Sequence, residues 1–109
     1  MAPAWEFSDD LFAIVGKDGL LRAVNSAWER TLGWAADELV GRSPIEFSHA
    51  EDPSELLQVR RSAYLEGRVE DLEMRYRHRD GSDRWLRWSG YCDQDLWYVV
   101  GKDVTPARE

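Results

Sequence analysis

The sequence predicts an α+β fold, an antiparallel sheet with helices gathered on one face. Three observations predict it. Asp18-Gly19 and Asp80-Gly81 each separate runs with strand character, and Gly tolerates the positive φ that tight hairpins need. Leu72, Met74 and Tyr76 alternate with Glu73, Arg75 and Arg77, the period of a half-buried strand. Between these hairpin blocks the chain carries helix starts and stops. The order is β-β-α-α-α-β-β-β, and the helices must cover one face of the sheet.

Residues 1–10 read as a mixed lead-in. Ser8, Asp9 and Asp10 can cap a short turn, and Trp5 and Phe7 can fold back onto the body. Strands are expected at about 12–16 and 20–24. A helix then starts at Asn25-Ser26, where Ser26 and Glu29 have capping-box spacing. Trp28 and Leu32 lie four apart on one face, and Gly33 fits the left-handed stop. Asp37-Glu38-Leu39 reads as a one-turn helix closed by Gly41. Residues 43–50 are less regular. Asp52-Pro53-Ser54-Glu55 starts a helix that runs to about Glu66, with Leu56, Val59 and Ala63 on one stripe. Arg84 to Cys92 pairs with the preceding strand. Asp93-Gln94-Asp95 turns the chain into a last strand at Leu96 to Gly101, and Pro106 is expected to end regular structure.

The bulk numbers narrow the function. A chain of 109 residues is about one small domain, with little room for both a core and an elaborate active site. Six Trp mean a heavy core, an exposed docking surface, or both. The net charge of −7 argues against nucleic acid. Arg60, Arg61, Arg75, Arg77, Arg79, Arg84 and Arg87 do form a basic stretch, which reads as a solvated sheet edge or outer face. The single cysteine, Cys92, permits no internal disulfide and fits a reducing, cytoplasmic setting. No apolar run approaches the roughly 20 residues of a membrane span, and residues 1–10 lack the pattern of a secretory signal.

Five segments together resemble the PAS family. Asn25 to Trp34 is similar to its "N-x-A…L-G-[YW]" element, and Asp37 to Arg42 to its "x-E-L-[IV]-G-[RK]". Ser48 to Asp52 resembles "h-H-P-[DE]-D", with Ala50 where Pro is usual. Arg77 to Leu86 resembles the "D-G-x-x-[RY]-W-[VL]" hairpin, and Gly101 to Thr105 the terminal "x-x-D-[IV]-T". The resemblance implies a five-stranded antiparallel sheet of order 2-1-5-4-3 over residues 11–105, with 106–109 leading into an effector domain. It implies a sensory or dimerising module, not an enzyme, and a cavity between sheet and helices.

Candidate chemistry follows from individual residues. The flavin-adduct subclass needs a cysteine where this chain has Gly41 to Phe47, so that mechanism is excluded. Haem needs an axial ligand, and residues 53–66 contain no His; His49 precedes that stretch and His78 sits before a turn, expected exposed. No tightly bound cofactor is expected. His49, His78 and Cys92 form no metal-ligand spacing. No phosphate loop, nucleophile elbow or triad is present. Registered to the family, Trp28, Leu32, Phe47 and Leu56 close the interior from the helical side. Leu72, Met74, Tyr76, Leu86, Trp88, Gly90, Trp97, Val99 and Gly101 line it from the sheet. They are candidates for a small-ligand pocket or for a plain core, and the bulk of Trp88 and Trp97 favours the core. Asp103 and Thr105 are candidates for signal output, bonding the backbone of an outgoing turn. Trp85, Tyr91 and Tyr98 alternate to the outer sheet face, to be covered by Trp5 and Phe7 or by a second copy. A homodimer through this face is expected, regulating a histidine kinase, diguanylate cyclase or PP2C-type phosphatase in the same parent chain. A ligand-free dimerisation domain and a haem-based sensor are the alternatives.

Overall fold

The computed structural model describes residues 4–48 and 66–108. A 3-10 turn, Ala4–Phe7, leads into β1 (Leu11–Val15) and β2 (Leu21–Val24). Two short helices follow, α1 (Ala27–Leu32) and α2 (Ala36–Leu39), then a second 3-10 turn at Pro44–Phe47. β3 (Arg68–Arg77), β4 (Asp83–Asp93) and β5 (Leu96–Asp103) complete the sheet, and α3 (Thr105–Arg108) is one helical turn. The sheet is antiparallel with order β2-β1-β5-β4-β3, as expected. Apart from Glu66, the helix expected at 52–66 lies outside the described residues, as do Leu56 and His49.

The register sorts the two faces. Leu11 pairs with Gly101, Trp88 with both Gly101 and Leu72, and Leu86 with Met74. These residues share the inner face. There Leu11, Ala13, Leu21, Val24, Leu86, Trp88 and Tyr76 meet Ala27, Trp28, Leu32, Leu39 and Phe47 from the helical side as one buried core. The outer face carries Phe12, Ile14, Tyr98, Val100, Ser89 and Tyr91, by strict alternation.

Local chemistry explains the breaks. Gly33 ends α1 at φ 83° and donates its N–H to the Glu29 carbonyl. Gln94 and Asp95 both take positive φ, 50° and 68°, a two-residue turn of primed type built without glycine. The pairing of β3 with β4 shifts between Val69 and Leu72, and Asp71 sits there at φ 51°. That bulge keeps both Val69 and Leu72 on the inner face.

Three local expectations are corrected. The Ser26–Glu29 capping box does not form: Ser26 makes no side-chain cap bond, because its hydroxyl and N–H are engaged by Glu6. The irregular stretch after Gly41 instead holds a capped turn, in which Glu46 accepts the Ser43 N–H and Ser43 accepts the Ile45 N–H. Pro106 does not end regular structure but sits in the first turn of α3, where its missing N–H is not needed.

Candidate functional site

The inner-face candidates assemble as an aromatic cluster. Trp28 lies 5.6 Å from Trp88 and 6.3 Å from Tyr76, and Tyr76 lies 5.5 Å from Trp88, centroid to centroid. The Trp88 ring lies flat over Gly101, where an added Cβ would come within 2.8 Å of it. The residue type at 101 therefore lets an indole from β4 cover its neighbouring strand. Leu32, Phe47 and Leu86 are buried beside this cluster, while Leu72, Met74 and Val99 pack at its margin. Phe47 pairs edge-on with Trp34 at 5.3 Å. Trp97 shares the inner face through its pairing with Val15 and Cys92 but is only half-buried and stays outside the core cluster.

Polarity in this cluster is unevenly satisfied. The Trp28 indole N–H donates to the Phe12 carbonyl at 3.0 Å. Among the described residues the Trp88 indole N–H is buried without a hydrogen-bond partner. An orphan donor of this kind costs free energy unless something supplies an acceptor. Burial also pushes the Tyr76 hydroxyl pKa well above its ordinary 10.0, so it stays protonated.

At the end of the sheet the output candidates form a link. Asp103 accepts the Thr105 N–H at 2.9 Å, and the Thr105 hydroxyl accepts the Trp85 N–H at 2.8 Å. The Val104 N–H donates to the Trp85 carbonyl at 2.9 Å. Arg84 stands 3.8 Å from the Asp103 carboxylate. The first residues of α3 are thereby tied to β4 two positions from Arg87 and three from Trp88.

The outer face carries an open groove of about 1060 Å³. Phe12, Ile14, Tyr98, Val100 and Tyr91 floor it, Trp5 walls one side, and residues 66–71 form the other. Tyr91 and Tyr98 stack at 5.5 Å, and Tyr91 is 56% exposed. The structure thus gathers Trp5, Tyr91 and Tyr98. It does not bring Phe7, which is 74% exposed and is not part of the groove lining. Nor does it bring Trp85, which lies under the Arg75 guanidinium at 5.5 Å. His78, expected exposed, is half-buried, with its ring against Gly33. Among the described residues no three His, Cys, Asp or Glu side chains gather as metal ligands, and no helix is long and apolar enough to cross a membrane.

Sequence reading missed three contributors. Phe12 and Ile14 were legible as an apolar run with no polar alternation, the mark of a strand covered on both faces. Asn25 was seen as a helix entry and as the first residue of the PAS-like element, with no partners assigned. It is 2% exposed, and its side chain accepts the Phe12 N–H and donates to the Trp5 and Asp10 carbonyls.

Comparison with known proteins agrees with this geometry. The family model described as the PAS fold matches residues 22–96. The PAS domain of a Colwellia psychrerythraea protein superposes with a TM-score of 0.82 at 16% identity, covering 94% of this chain and 92% of that one. The PAS domain of an HTR-like protein from Haloarcula marismortui gives 0.74 at 25% identity, covering 91% and 90%. An RNA-binding light-oxygen-voltage receptor gives 0.85 at 21% identity, covering 96% of this chain but 32% of that one. No curated protein matches the chain. A match over most of the chain, a five-stranded sheet of order 2-1-5-4-3 and short helices on its inner face lead to one conclusion: the chain belongs to the PAS fold family of sensory and signalling domains.

Proposed function

We propose that this domain is a regulatory relay that works as a homodimer through its outer sheet face and passes a signal to an effector in the same parent chain. The observation that carries the reading is the open groove over β1, β5 and β4, floored by Phe12, Ile14, Tyr91, Tyr98 and Val100. An apolar concavity of this size on an exposed sheet face calls for a cover, and a second copy supplies an equal one. The Asp103–Thr105–Trp85 link supports the output half, because it couples the chain leaving β5 to the neighbouring strand. The effector is a histidine kinase, diguanylate cyclase or phosphatase, and the module itself is cytoplasmic and does no catalysis.

Native mass spectrometry and sedimentation equilibrium test the dimer. The wild type gives a dimer mass, and Tyr98→Glu weakens association by at least about tenfold, since a charge would be buried in the interface. A wild-type monomer at all concentrations overturns it. In the full-length parent, Asp103→Ala alters regulation while the domain stays folded; unchanged regulation removes the output role.

A second reading, a small neutral ligand in the interior, is favoured by the Trp88 donor, unpaired among the described residues. Such a ligand would present one hydrogen-bond acceptor. A mass excess that vanishes on denaturation supports it. Visible absorbance of the purified protein would instead point to haem or flavin.

A further inference from the structure

The outer face is polarised along its strands. Register sets Asp93 beside Leu96, Tyr91 beside Tyr98, Ser89 beside Val100 and Arg87 beside Lys102, in successive rows across β4 and β5. β3 extends the same rows, with Arg68 beside Tyr91, Glu73 beside Arg87, Arg75 beside Trp85 and Arg77 beside Asp83. The rows of Ser89 and Tyr91 lie in the groove floor. Charge differs on either side of them. Some of it is settled within the chain: Arg87 meets Glu73 at 3.5 Å, and Arg68 pairs with Glu70. Five exposed groups make no ion pair with a described residue. Arg77 and Lys102 lie at the end where the chain leaves β5, and Glu66, Asp93 and Asp95 lie at the other, around the Gln94-Asp95 turn. One end of the face is therefore basic and the other acidic.

Two copies can lay this face together about a two-fold axis in two ways. An axis along the strands sets each end on its like, so that basic meets basic and acidic meets acidic. An axis across the strands sets opposite ends together. With that axis over the middle of the groove, between the rows of Ser89 and Tyr91, the row of Asp93 falls on the row of Arg87 and Lys102 in the second copy. The turn at Asp95 then falls on the row of Trp85 and Arg75. Either axis buries the same apolar floor, so charge decides between them. Like charges set face to face oppose association, and matched ones fix the register.

We propose that the second copy binds antiparallel, with the acidic end of each outer face on the basic end of the other. The proposal rests on the dimer reading above and adds its geometry. Every contact occurs twice about the axis, so each charge match counts double. The geometry also fixes where the output leaves. Val104, which donates its N–H to the Trp85 carbonyl, marks the exit from the sheet. It lies about five residues from the axis, so at roughly 3.3 Å per residue the two exits stand about 30 Å or more apart. The two α3 turns leave from opposite ends of the dimer, and each effector receives its signal singly rather than through a shared stalk.

Sedimentation equilibrium of the intact chain, at one fixed salt concentration, reads the dissociation constant. Salt is held fixed because the net charge of −7 opposes the approach of any two copies and responds to screening in the other sense. Lys102→Glu is expected to weaken the dimer by about tenfold or more, and Asp93→Lys to do the same. The double variant is expected within about threefold of wild type, because its exchanged ends still match. A Glu at 102 stands beside Arg87 of its own chain, so the fold is kept. In the parallel arrangement like already faces like, and both single variants associate as tightly as wild type or more tightly; that result overturns the proposal. A second readout changes no charge. Ala107→Cys in a Cys92→Ser background carries a spin label on the exposed face of α3. Pulsed electron resonance of the dimer is expected to give a label separation of about 30 Å or more, and one under about 20 Å sets the exits side by side and overturns it. A wild-type monomer at all concentrations removes the dimer reading itself, whereas a dimer whose single variants are unweakened removes the antiparallel geometry alone.

Discussion

The Thr105 side-chain oxygen receives the backbone N–H of Trp85 at 2.8 Å, across the end of the sheet. Trp85 and Thr105 are 20 residues apart in the chain. Thr105→Val keeps the shape and deletes the acceptor, leaving a part-buried donor unpaired. The expected cost is about 1–3 kcal/mol. In a domain of this size each kcal/mol lowers Tm by about 4–8 °C. Thr105→Ser restores most of it. Urea denaturation of the three proteins checks the sequence, and equal midpoints for Val and Thr would refute it.

Two indoles in one cluster make opposite demands. Trp28 spends its N–H on the Phe12 carbonyl, whereas the Trp88 N–H has no partner among the described residues. Replacing either by Phe loses similar volume, but only Trp28→Phe breaks a hydrogen bond. Trp28→Phe is therefore expected to cost about 1 kcal/mol or more beyond Trp88→Phe. Equal losses in denaturant titrations would mean that the Trp88 N–H is satisfied in solution.

Gly101 is buried under the Trp88 ring. A methyl there meets three ring atoms at 2.8–2.9 Å, and the ring has no flexible end that can swing aside. Gly101→Ala should destabilise by about 1–3 kcal/mol. The displaced indole should change the near-ultraviolet circular dichroism as well. A variant as stable as wild type, with the same spectrum, would show that Trp88 has room to move.

Stability should depend on pH in two windows. The Glu38 carboxylate is held below its ordinary 4.5, first by the Ala35 N–H it accepts and then by Arg79. A depressed carboxylate stabilises above its unfolded pKa, and that contribution disappears as pH falls below about 4.5. Glu38→Gln should flatten the acid limb. Tyr76 is displaced the other way, by burial. Its contribution is present below 10.0 and is lost as pH rises above it, because the unfolded chain ionises first. Tyr76→Phe should flatten the alkaline limb. Denaturant midpoints across pH read both slopes.

The strands and turns were legible because their signals are local. Asp18-Gly19, Asp80-Gly81 and the alternation of residues 72–77 each act within a few positions, and β1 to β5 followed with the expected order. What escaped was set by distant partners. Ser26 and Glu29 have capping-box spacing, yet Glu6, 20 residues away, took the Ser26 N–H. Trp5 was expected against the outer face and does line the groove, but Phe7, expected beside it, stays exposed, and no pattern within residues 1–10 tells the two apart. The inner and outer faces were assigned correctly for Trp88 and Tyr98 because strand period is strict. The bulge at Asp71 was marked only by that one residue tolerant of positive φ, within a charged strand-like run.

The approach of Trp28 to Trp88, 5.6 Å between centroids and tilted by 38°, has an optical consequence. Two indole transition dipoles so close and neither parallel nor perpendicular exchange excitation, and they rotate polarised light as a coupled pair. The protein should carry a paired positive and negative band in circular dichroism that neither Trp28→Phe nor Trp88→Phe retains. Its core thus holds its own chromophore, able to register a sub-ångström repacking without any added label.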